Sequence, residues 1–231
     1  MIRRTLLAVA LLGVATAVGY AAVLRPRHLR WGATDDEVAA DFPGDGLIPA
    51  PRLRTTRAVT IGAPVASVWP WIVQLGADRG GLYSYDRLER LIGADMRNAD
   101  RIMPEWQTLV VGDTVPLAPG RAMGLEVVEL EPNRTFVLHA RVDPSAPGRL
   151  LGPDDPTPPA WFDLCWSWRL TEIDDRTTRL VVRFSMDWDD RPASWVAWRV
   201  FTEPAHFVME RKMLYGIRER AERLGSERSS A

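Results

Sequence analysis

The sequence predicts an α+β domain in which a β-sheet packs against a long C-terminal helix. Residues 162–171 and 178–188 carry apolar, largely aromatic side chains at alternate positions, which is typical of strands with one face toward a core. Residues 193–224 predict a helix that is interrupted near Pro204. One stripe of its second part is apolar and consists of Met209, Met213, Ile217 and Ala221. Together these patterns predict an apolar space between sheet and helix.

The upstream part of the domain begins with a strand and a helix. Residues 55–61 alternate and are rich in β-branched side chains, which favours a strand. Pro64 suits the first turn of a helix over residues 65–75, because its missing N–H would be unpaired there in any case. Pro70 is expected to bend or divide that helix. The glycine-rich residues 76–81 predict a hinge after it.

A run of strands follows the hinge. A short amphipathic helix is predicted at residues 85–92, and residues 95–109 are expected to be mostly irregular. Further strands are predicted at 114–117, 124–131 and 134–141. The Pro-rich residues 143–159 are too polar and broken for a core, so they predict a loop. The two aromatic strands and the long helix complete the domain.

The outer faces of the aromatic strands are predicted to be solvated. Charged residues occupy the positions between the apolar ones: Asp163, Arg169, Arg179, Arg183 and Asp187. His139 lies on the outward parity of its strand, so a surface or lightly packed histidine is expected. Cys165 lies in an apolar strand, which predicts a buried and inert thiol.

Composition excludes several classes of function. The chain has 29 basic and 30 acidic residues and no basic stripe, so no nucleic-acid partner is expected. Its single cysteine allows no intrachain disulfide. The sequence contains no glycine-rich phosphate loop, no nucleophile elbow and no Cys/His cluster with metal-ligand spacing. No cofactor and no metal site are therefore predicted.

The N-terminal residues predict a single membrane span. Residues 5–24 contain no charged side chain, and a helix of that length rises about 30 Å, which matches the apolar thickness of a bilayer. A cleaved signal peptide is the alternative, since Ala15 and Ala17 have cleavage-like spacing. Arginines on the two sides nearly balance, so the orientation stays open. The expected location is the membrane.

The chain is thus divided into an anchor (1–24), a connector (25–53), a folded domain (54–225) and a disordered tail (226–231). Within the connector, Thr34 and Glu37 fit a capping box, which predicts a short helix over residues 35–41. Prolines and glycines break regular structure after it. The connector is expected to lie on the domain surface or to space the domain from the membrane.

The order of elements over residues 54–225 resembles the START-like superfamily, also called SRPBCC, which includes polyketide cyclase/dehydrase and lipid transport proteins. Residues 58–69 look like the family's opening strand and helix, and residues 206–214 look like its closing helix. Residues 98–102 and 104–107 resemble an uncharacterised bacterial branch. The resemblance implies a helix-grip fold, a curved antiparallel sheet around the last helix.

Such a fold leaves a cavity between sheet and helix when the facing side chains do not fill the space. The predicted cavity residues are Tyr83, Tyr85, Trp106, Trp166, Trp168, Phe184, Trp188, Met209 and Met213. Plain core packing is the alternative for these rings and methionines, because the same residue types fill ordinary cores.

Polar candidates for this cavity are few. Asp86, Glu105 and His206 are weak acid/base candidates, with Tyr85 beside Asp86 near the predicted entrance. The alternative for Asp86 is a helix start, and the alternative for His206 is a structural role. Glu210 is expected to form a weak ion pair on the helix surface.

Three functions remain open from the sequence. The first is a membrane-tethered binding protein for a hydrophobic small molecule such as a lipid, polyketide or isoprenoid. The second is an enzyme of the cyclase/dehydratase type that uses polar cavity residues. The third is a structural or partner-binding module whose cavity is filled by its own side chains. The oligomeric state is not predicted.

Overall fold

A curved sheet forms the frame of the protein. The structure, a computed structural model, describes residues 19–84, 98–118 and 123–229. Six antiparallel strands lie in the order β1-β6-β5-β4-β3-β2. They are β1 Leu53–Ile61, β2 Thr114–Pro116, β3 Gly124–Glu131, β4 Thr135–Val142, β5 Phe162–Asp174 and β6 Thr177–Trp188. The α+β class, with a long C-terminal helix, is confirmed.

The helical elements flank this sheet. They are a π-helical turn, Tyr20–Leu24, that continues as α1, Arg25–Leu29; α2, Asp35–Ala39; α3, Val65–Val73; a 3-10 turn, Pro104–Trp106; α4, Pro192–Trp195; a π-helical segment, Val196–Thr202; and α5, Glu203–Ser229. Pro70 lies inside α3 and does not divide it.

The predicted interruption near Pro204 is replaced by a widened helix. The backbone N–H of Glu203 bonds to the carbonyl of Trp198, five residues earlier, which is the π-helical spacing. The missing N–H of Pro204 therefore falls where the wide turns end, and the chain stays helical across it. α5 then continues past Leu224 to Ser229.

The aromatic positions of β5 and β6 face the core, as the alternation predicts. Trp166 pairs with Phe184, and Phe162 pairs with Trp188. These side chains share one apolar cluster with the α5 residues Met213, Ile217 and Ala221. The core therefore lies between the inner face of the sheet and α5.

Residues 42–48 of the connector cover part of the opposite face of the sheet. Phe42 packs against Ala58 and Val181, while Ile48 packs against Val137 and Cys165. Burial raises the pKa of the Cys165 thiol to about 11, which agrees with the predicted inert thiol. Part of the outer face is therefore a second, smaller core rather than a solvated surface.

Arg183 fixes the connector to this face. The sequence predicts a solvated side chain, but Arg183 is 3% exposed, and its guanidinium donates to the carbonyls of Glu37, Val38 and Ala40. The predicted capping box of Thr34 and Glu37 is present at the other end of α2. α2 ends at Ala39, before the predicted end, where the Arg183 guanidinium binds its last carbonyls.

The predicted membrane span lies mostly in residues 1–18, outside the described residues. Among the helices that the structure does describe, none is both long and apolar enough to cross a bilayer. The helix predicted at residues 85–92 also lies outside the described ranges.

Candidate functional site

An apolar cavity lies between the sheet and α5. The residues that bound it enclose about 160 Å³. They are Leu82, Ser84, Leu117, Trp166, His206, Met209, Glu210 and Met213. Trp166 projects from the inner face of β5, and Met209 and Met213 lie one turn apart on α5. The inward-facing positions of β5 and the apolar stripe of α5 therefore meet at this cavity.

A buried ion pair forms the polar end of this cavity. Glu210 Oε2 accepts a hydrogen bond from Arg57 Nη1 at 2.5 Å, and Glu210 Oε1 accepts one from Trp166 Nε1 at 2.8 Å. Both charged side chains are 0% exposed. Since each carboxylate oxygen has a donor, part of the cost of burying the charge is offset.

Arg57 reaches this pair from the inner face of β1. It lies opposite Val182, whose side chain belongs to the main core. Its Nε donates to the carbonyl of His28 at 2.8 Å, and its guanidinium lies 5.2 Å from the ring centroid of Phe207. Arg57 therefore connects β1, α1 and α5. Its Nη2 is buried without a partner among the described residues.

His206 joins Arg57, Glu210 and Trp166 in a buried polar cluster, and its imidazole is neutral. Its Nδ1 lies 3.2 Å from Arg57 Nη1, and because a guanidinium only donates, Nδ1 is the acceptor and Nε2 carries the proton. Its ring packs against Phe184, with 4.2 Å between centroids. Burial lowers the pKa of His206 to about 4, although the nearby Glu210 carboxylate acts in the opposite direction.

The cluster offers a hydrogen-bond donor rather than a strong base. His206 Nε2 is buried without a hydrogen-bond partner in the described part of the chain, and Glu210 Oε1 is 3.8 Å away, beyond hydrogen-bond range. An imidazole with a pKa of about 4 is a weak base at neutral pH. Within the described ranges, no three His, Cys, Asp or Glu side chains are grouped to hold a metal ion.

Several predicted residues meet at this site. Trp166, Met209, Met213 and His206 line the cavity. Phe184 packs against the His206 ring and contacts Trp166 edge-on. These residues come from β5, β6 and α5, as the strand and helix patterns predict.

Other predicted cavity residues belong to the core. Trp168 is 0% exposed and stacks on Phe136, and Trp188 is also fully buried. Tyr83 is 1% exposed, and its hydroxyl donates to the carbonyl of Trp71 at 3.1 Å. Their predicted place in the cavity wall is corrected, because packing surrounds all three rings and they do not line the cavity.

The remaining candidates lie elsewhere. Glu105 is exposed and Trp106 half-buried on the 3-10 turn, away from the residues that line the cavity. Tyr85 and Asp86 lie outside the described residues. His139 is half-buried on the outer face, where its Nε2 lies 2.7 Å from Asp163 Oδ1, in agreement with its predicted outward position.

The sequence prediction missed Arg57 and misplaced Glu210. The sequence predicts a surface ion pair for Glu210, but this residue is buried against Arg57, a partner 153 residues away. The sequences of β1 and α5 each contain a signal for this buried pair. Arg57 shares the inward parity of Val59 and Ile61, and Glu210 lies one turn from His206 on the inner side of α5.

Comparisons with known proteins find distant structural similarity. No family model and no curated protein matches the chain. A hypothetical protein of Helicobacter pylori is 14% identical, with a TM-score of 0.46 and coverage of 79% of this chain and 96% of that chain. A conserved protein of Geobacillus kaustophilus is 12% identical, with a TM-score of 0.41 and coverage of 74% and 96%. The Zhui aromatase/cyclase of Streptomyces sp. R1128 is 16% identical, with a TM-score of 0.30 and coverage of 74% and 93%.

Proposed function

We propose that the protein binds a hydrophobic small molecule, such as a lipid, polyketide or isoprenoid, in the cavity between the sheet and α5. The observation that carries the proposal is an apolar cavity with one polar end. Its walls are mainly Leu, Met and Trp side chains, and His206 and Glu210 supply polar groups. Ligand sites in proteins commonly combine an apolar lining with a few placed polar groups.

The cavity volume limits the part of a ligand that it holds. The value of about 160 Å³ is close to the apolar cavity of roughly 150 Å³ that accommodates benzene. A single ring, or a short acyl or isoprenoid segment, fits this space. A whole lipid or polyketide would extend beyond the walls that the described residues form.

The polar end favours a ligand with a hydrogen-bond acceptor. His206 Nε2 carries a proton and lacks a partner within the described ranges. A buried donor left unpaired costs about 1–3 kcal/mol. A carbonyl, ether or hydroxyl oxygen on the ligand would remove this cost, whereas a pure hydrocarbon would not.

The same cluster favours binding over acid–base chemistry. A general acid or base works best with a pKa near the operating pH, and the pKa of His206 is lowered to about 4. The two oxygens of Glu210 are already engaged by Arg57 and Trp166. These groups are therefore better suited to holding a ligand than to the cyclase/dehydratase alternative.

A matched pair of probes tests the polar end. Acetophenone and ethylbenzene have similar shapes, but only acetophenone carries a carbonyl acceptor. We expect acetophenone to bind about fivefold more tightly in an NMR titration, the equivalent of one neutral hydrogen bond. His206→Phe keeps a ring but removes the donor, so this preference should disappear. A preference that persists in His206→Phe would contradict the assigned role of His206.

A second pair of variants tests the cavity itself. Met209→Trp adds bulk to the cavity wall and should abolish binding of both probes. Glu219→Trp introduces the same residue on the exposed face of α5 and should bind as the wild type does. Native mass spectrometry of the full chain from its host should detect a bound molecule that Met209→Trp loses. Unchanged binding in Met209→Trp would overturn the proposal.

The proposal includes a membrane tether through residues 5–24. Its support is the uncharged sequence of that segment and the tendency of apolar ligands to partition into a bilayer, where a tethered domain would meet them. Deletion of residues 5–18 should let alkaline carbonate extract the protein from the membranes, whereas the full chain should resist this extraction. A deletion variant that resists extraction as the full chain does would contradict the tether.

A further inference from the structure

Exposed apolar side chains are concentrated on one surface of the protein. We call this surface the apolar ridge; it consists of Val23, Leu24, Trp195, Val196, Val200, Phe201 and Val208. These are seven of the twelve large apolar side chains that are exposed in the described part of the chain. Phe201, the most exposed of them, is 68% exposed. Scattered apolar residues on a surface are common, but a contiguous group marks an interaction site.

The ridge is continuous across two antiparallel helices. Three contacts join the N-terminal helix and its following turn to α5: Trp31 with Tyr215, His28 with Phe207, and Arg25 with Glu203. The α5 partner moves toward the start of α5 as the chain is followed back from Trp31 to Arg25, so the two helices run antiparallel and Val23 continues this order toward Val200. Leu24, Pro204 and Val208 line one common hollow, which brings the two helices together.

The opposite side of the same segment is fixed to the domain. Trp198 packs on Phe162 with 4.9 Å between ring centroids. Glu203 is 1% exposed and accepts hydrogen bonds from Arg25 and Arg199, each at 2.7 Å. Because these contacts set the rotation of the helix, the apolar side is held outward by the fold.

We propose that the apolar ridge docks onto a lipid bilayer, with α4 and the π-helical segment lying in the interface. The chain itself points to this occupant, because the uncharged residues 5–24 end within the ridge. Residues 21–24 are all exposed, and a helix that is apolar on every side needs apolar surroundings. The ridge therefore continues the surface on which the uncharged segment ends.

The edge of the ridge has the residues that suit a membrane interface. Trp195 is half-exposed, and Tyr20 lies at the start of the described helix. Such rings favour the headgroup level. The exposed Arg27 follows in sequence and would meet anionic headgroups. An amphipathic interface of this kind inserts its apolar side about 5–10 Å into the boundary between headgroups and acyl chains.

This inference rests on the membrane location in the proposed function and adds an orientation to it. Docking through the ridge places the start of α5 at the bilayer surface. His206 and Glu210 lie one to two turns into that helix. The polar end of the cavity would then face the source of an apolar ligand.

Photo-crosslinking of the full chain in its host membrane tests the docking. Phe201 is replaced by p-benzoylphenylalanine, a change that its exposed position tolerates. The control replaces Ile173, which is 55% exposed at the β5–β6 hairpin, the end of β6 remote from α4. Mass spectrometry should detect lipid adducts at position 201 and none at position 173.

Each other outcome contradicts the docking. Adducts at position 201 with residues 1–18, with a second copy or with another protein would assign a different occupant to the ridge. Equal lipid adducts at both positions, or none at position 201, would also overturn it. Membrane fractionation separates the two proposals: protein absent from the membrane refutes the tether, whereas membrane-bound protein without the adduct refutes the docking alone.

Discussion

Breaking the buried Arg57–Glu210 pair is expected to destabilise the protein strongly. Arg57→Met leaves the carboxylate of Glu210 buried, with Trp166 as its remaining described hydrogen-bond donor. Removing one partner of a buried ion pair costs about 3–5 kcal/mol, and the lost bond to the His28 carbonyl adds about 1 kcal/mol. The free energy of unfolding should therefore fall by about 4–6 kcal/mol.

The double variant separates burial of charge from loss of packing. Glu210→Leu alone leaves the Arg57 guanidinium buried without its carboxylate, at a similar cost. Arg57→Met with Glu210→Leu contains neither charge, and apolar residues can replace a buried pair at little net cost. The double variant should therefore be no more destabilised than either single variant, and far less than the sum of the two.

Urea unfolding followed by tryptophan fluorescence measures these differences. Glu219→Leu makes the same chemical change on the exposed face of α5 and should alter the free energy of unfolding by no more than about 0.5 kcal/mol. Additive single variants would show that Arg57 and Glu210 are not coupled. A cost of Arg57→Met as small as that of Glu219→Leu would refute the burial of the pair.

Acidification from pH 6.5 to 4 should destabilise the fold, because unfolded His206 takes up a proton near its ordinary pKa of 6.5 while the folded residue, with a pKa of about 4, does not. In urea titrations, His206→Phe should reduce the dependence of stability on pH. It should not remove this dependence, because burial also lowers the pKa of His28. An unchanged pH dependence would contradict the role of His206. Gly44→Ala should lower the melting temperature, because Gly44 has a φ of +82° and a Cβ there would lie 2.7 Å from Cys165 Sγ. Gly46→Ala is the control, because a Cβ at Gly46 meets open space. Equal melting temperatures of the two variants would refute this packing. Arg183→Met should speed proteolysis within residues 33–48, because the guanidinium donates to three carbonyls of the connector. The control is Arg176→Met, at an exposed position. Equal cleavage of the two variants would count against this role of Arg183.

The strands and the final helix could be predicted because burial imposes a period on the sequence. A strand with one buried face must alternate, and residues 162–188 alternate with large rings that leave no ambiguity of parity. The same rule cannot separate Trp166 from Trp168, which share a face of β5. Trp166 reaches the cavity and Trp168 does not, since the difference depends on where α5 crosses the sheet. That crossing is set by contacts with β1 and α3, which local periodicity does not contain.

The polar end of the cavity could not be predicted for a related reason. Local patterns assign a charged residue to the surface, because an isolated buried charge is costly. That rule fails when the opposite charge arrives from a distant part of the chain, as Glu210 meets Arg57. Arg183 illustrates the same point on the outer face, where backbone carbonyls of the connector replace water. For Arg57 and Glu210, the sequence signal is an inward-facing charge on each of two elements that pack together.

The cavity and the apolar ridge are not structurally independent. Arg57 donates to the carbonyl of His28 through one nitrogen and to Glu210 through another. The His28 ring in turn packs on Phe207, 5.2 Å between centroids, beside the hollow that Leu24 lines. α1 therefore cannot leave its place without removing a hydrogen bond from the guanidinium that holds the polar end of the cavity. If the ridge docks onto a bilayer as proposed, a force on α1 would be opposed by the same buried cluster that shapes the polar end of the cavity.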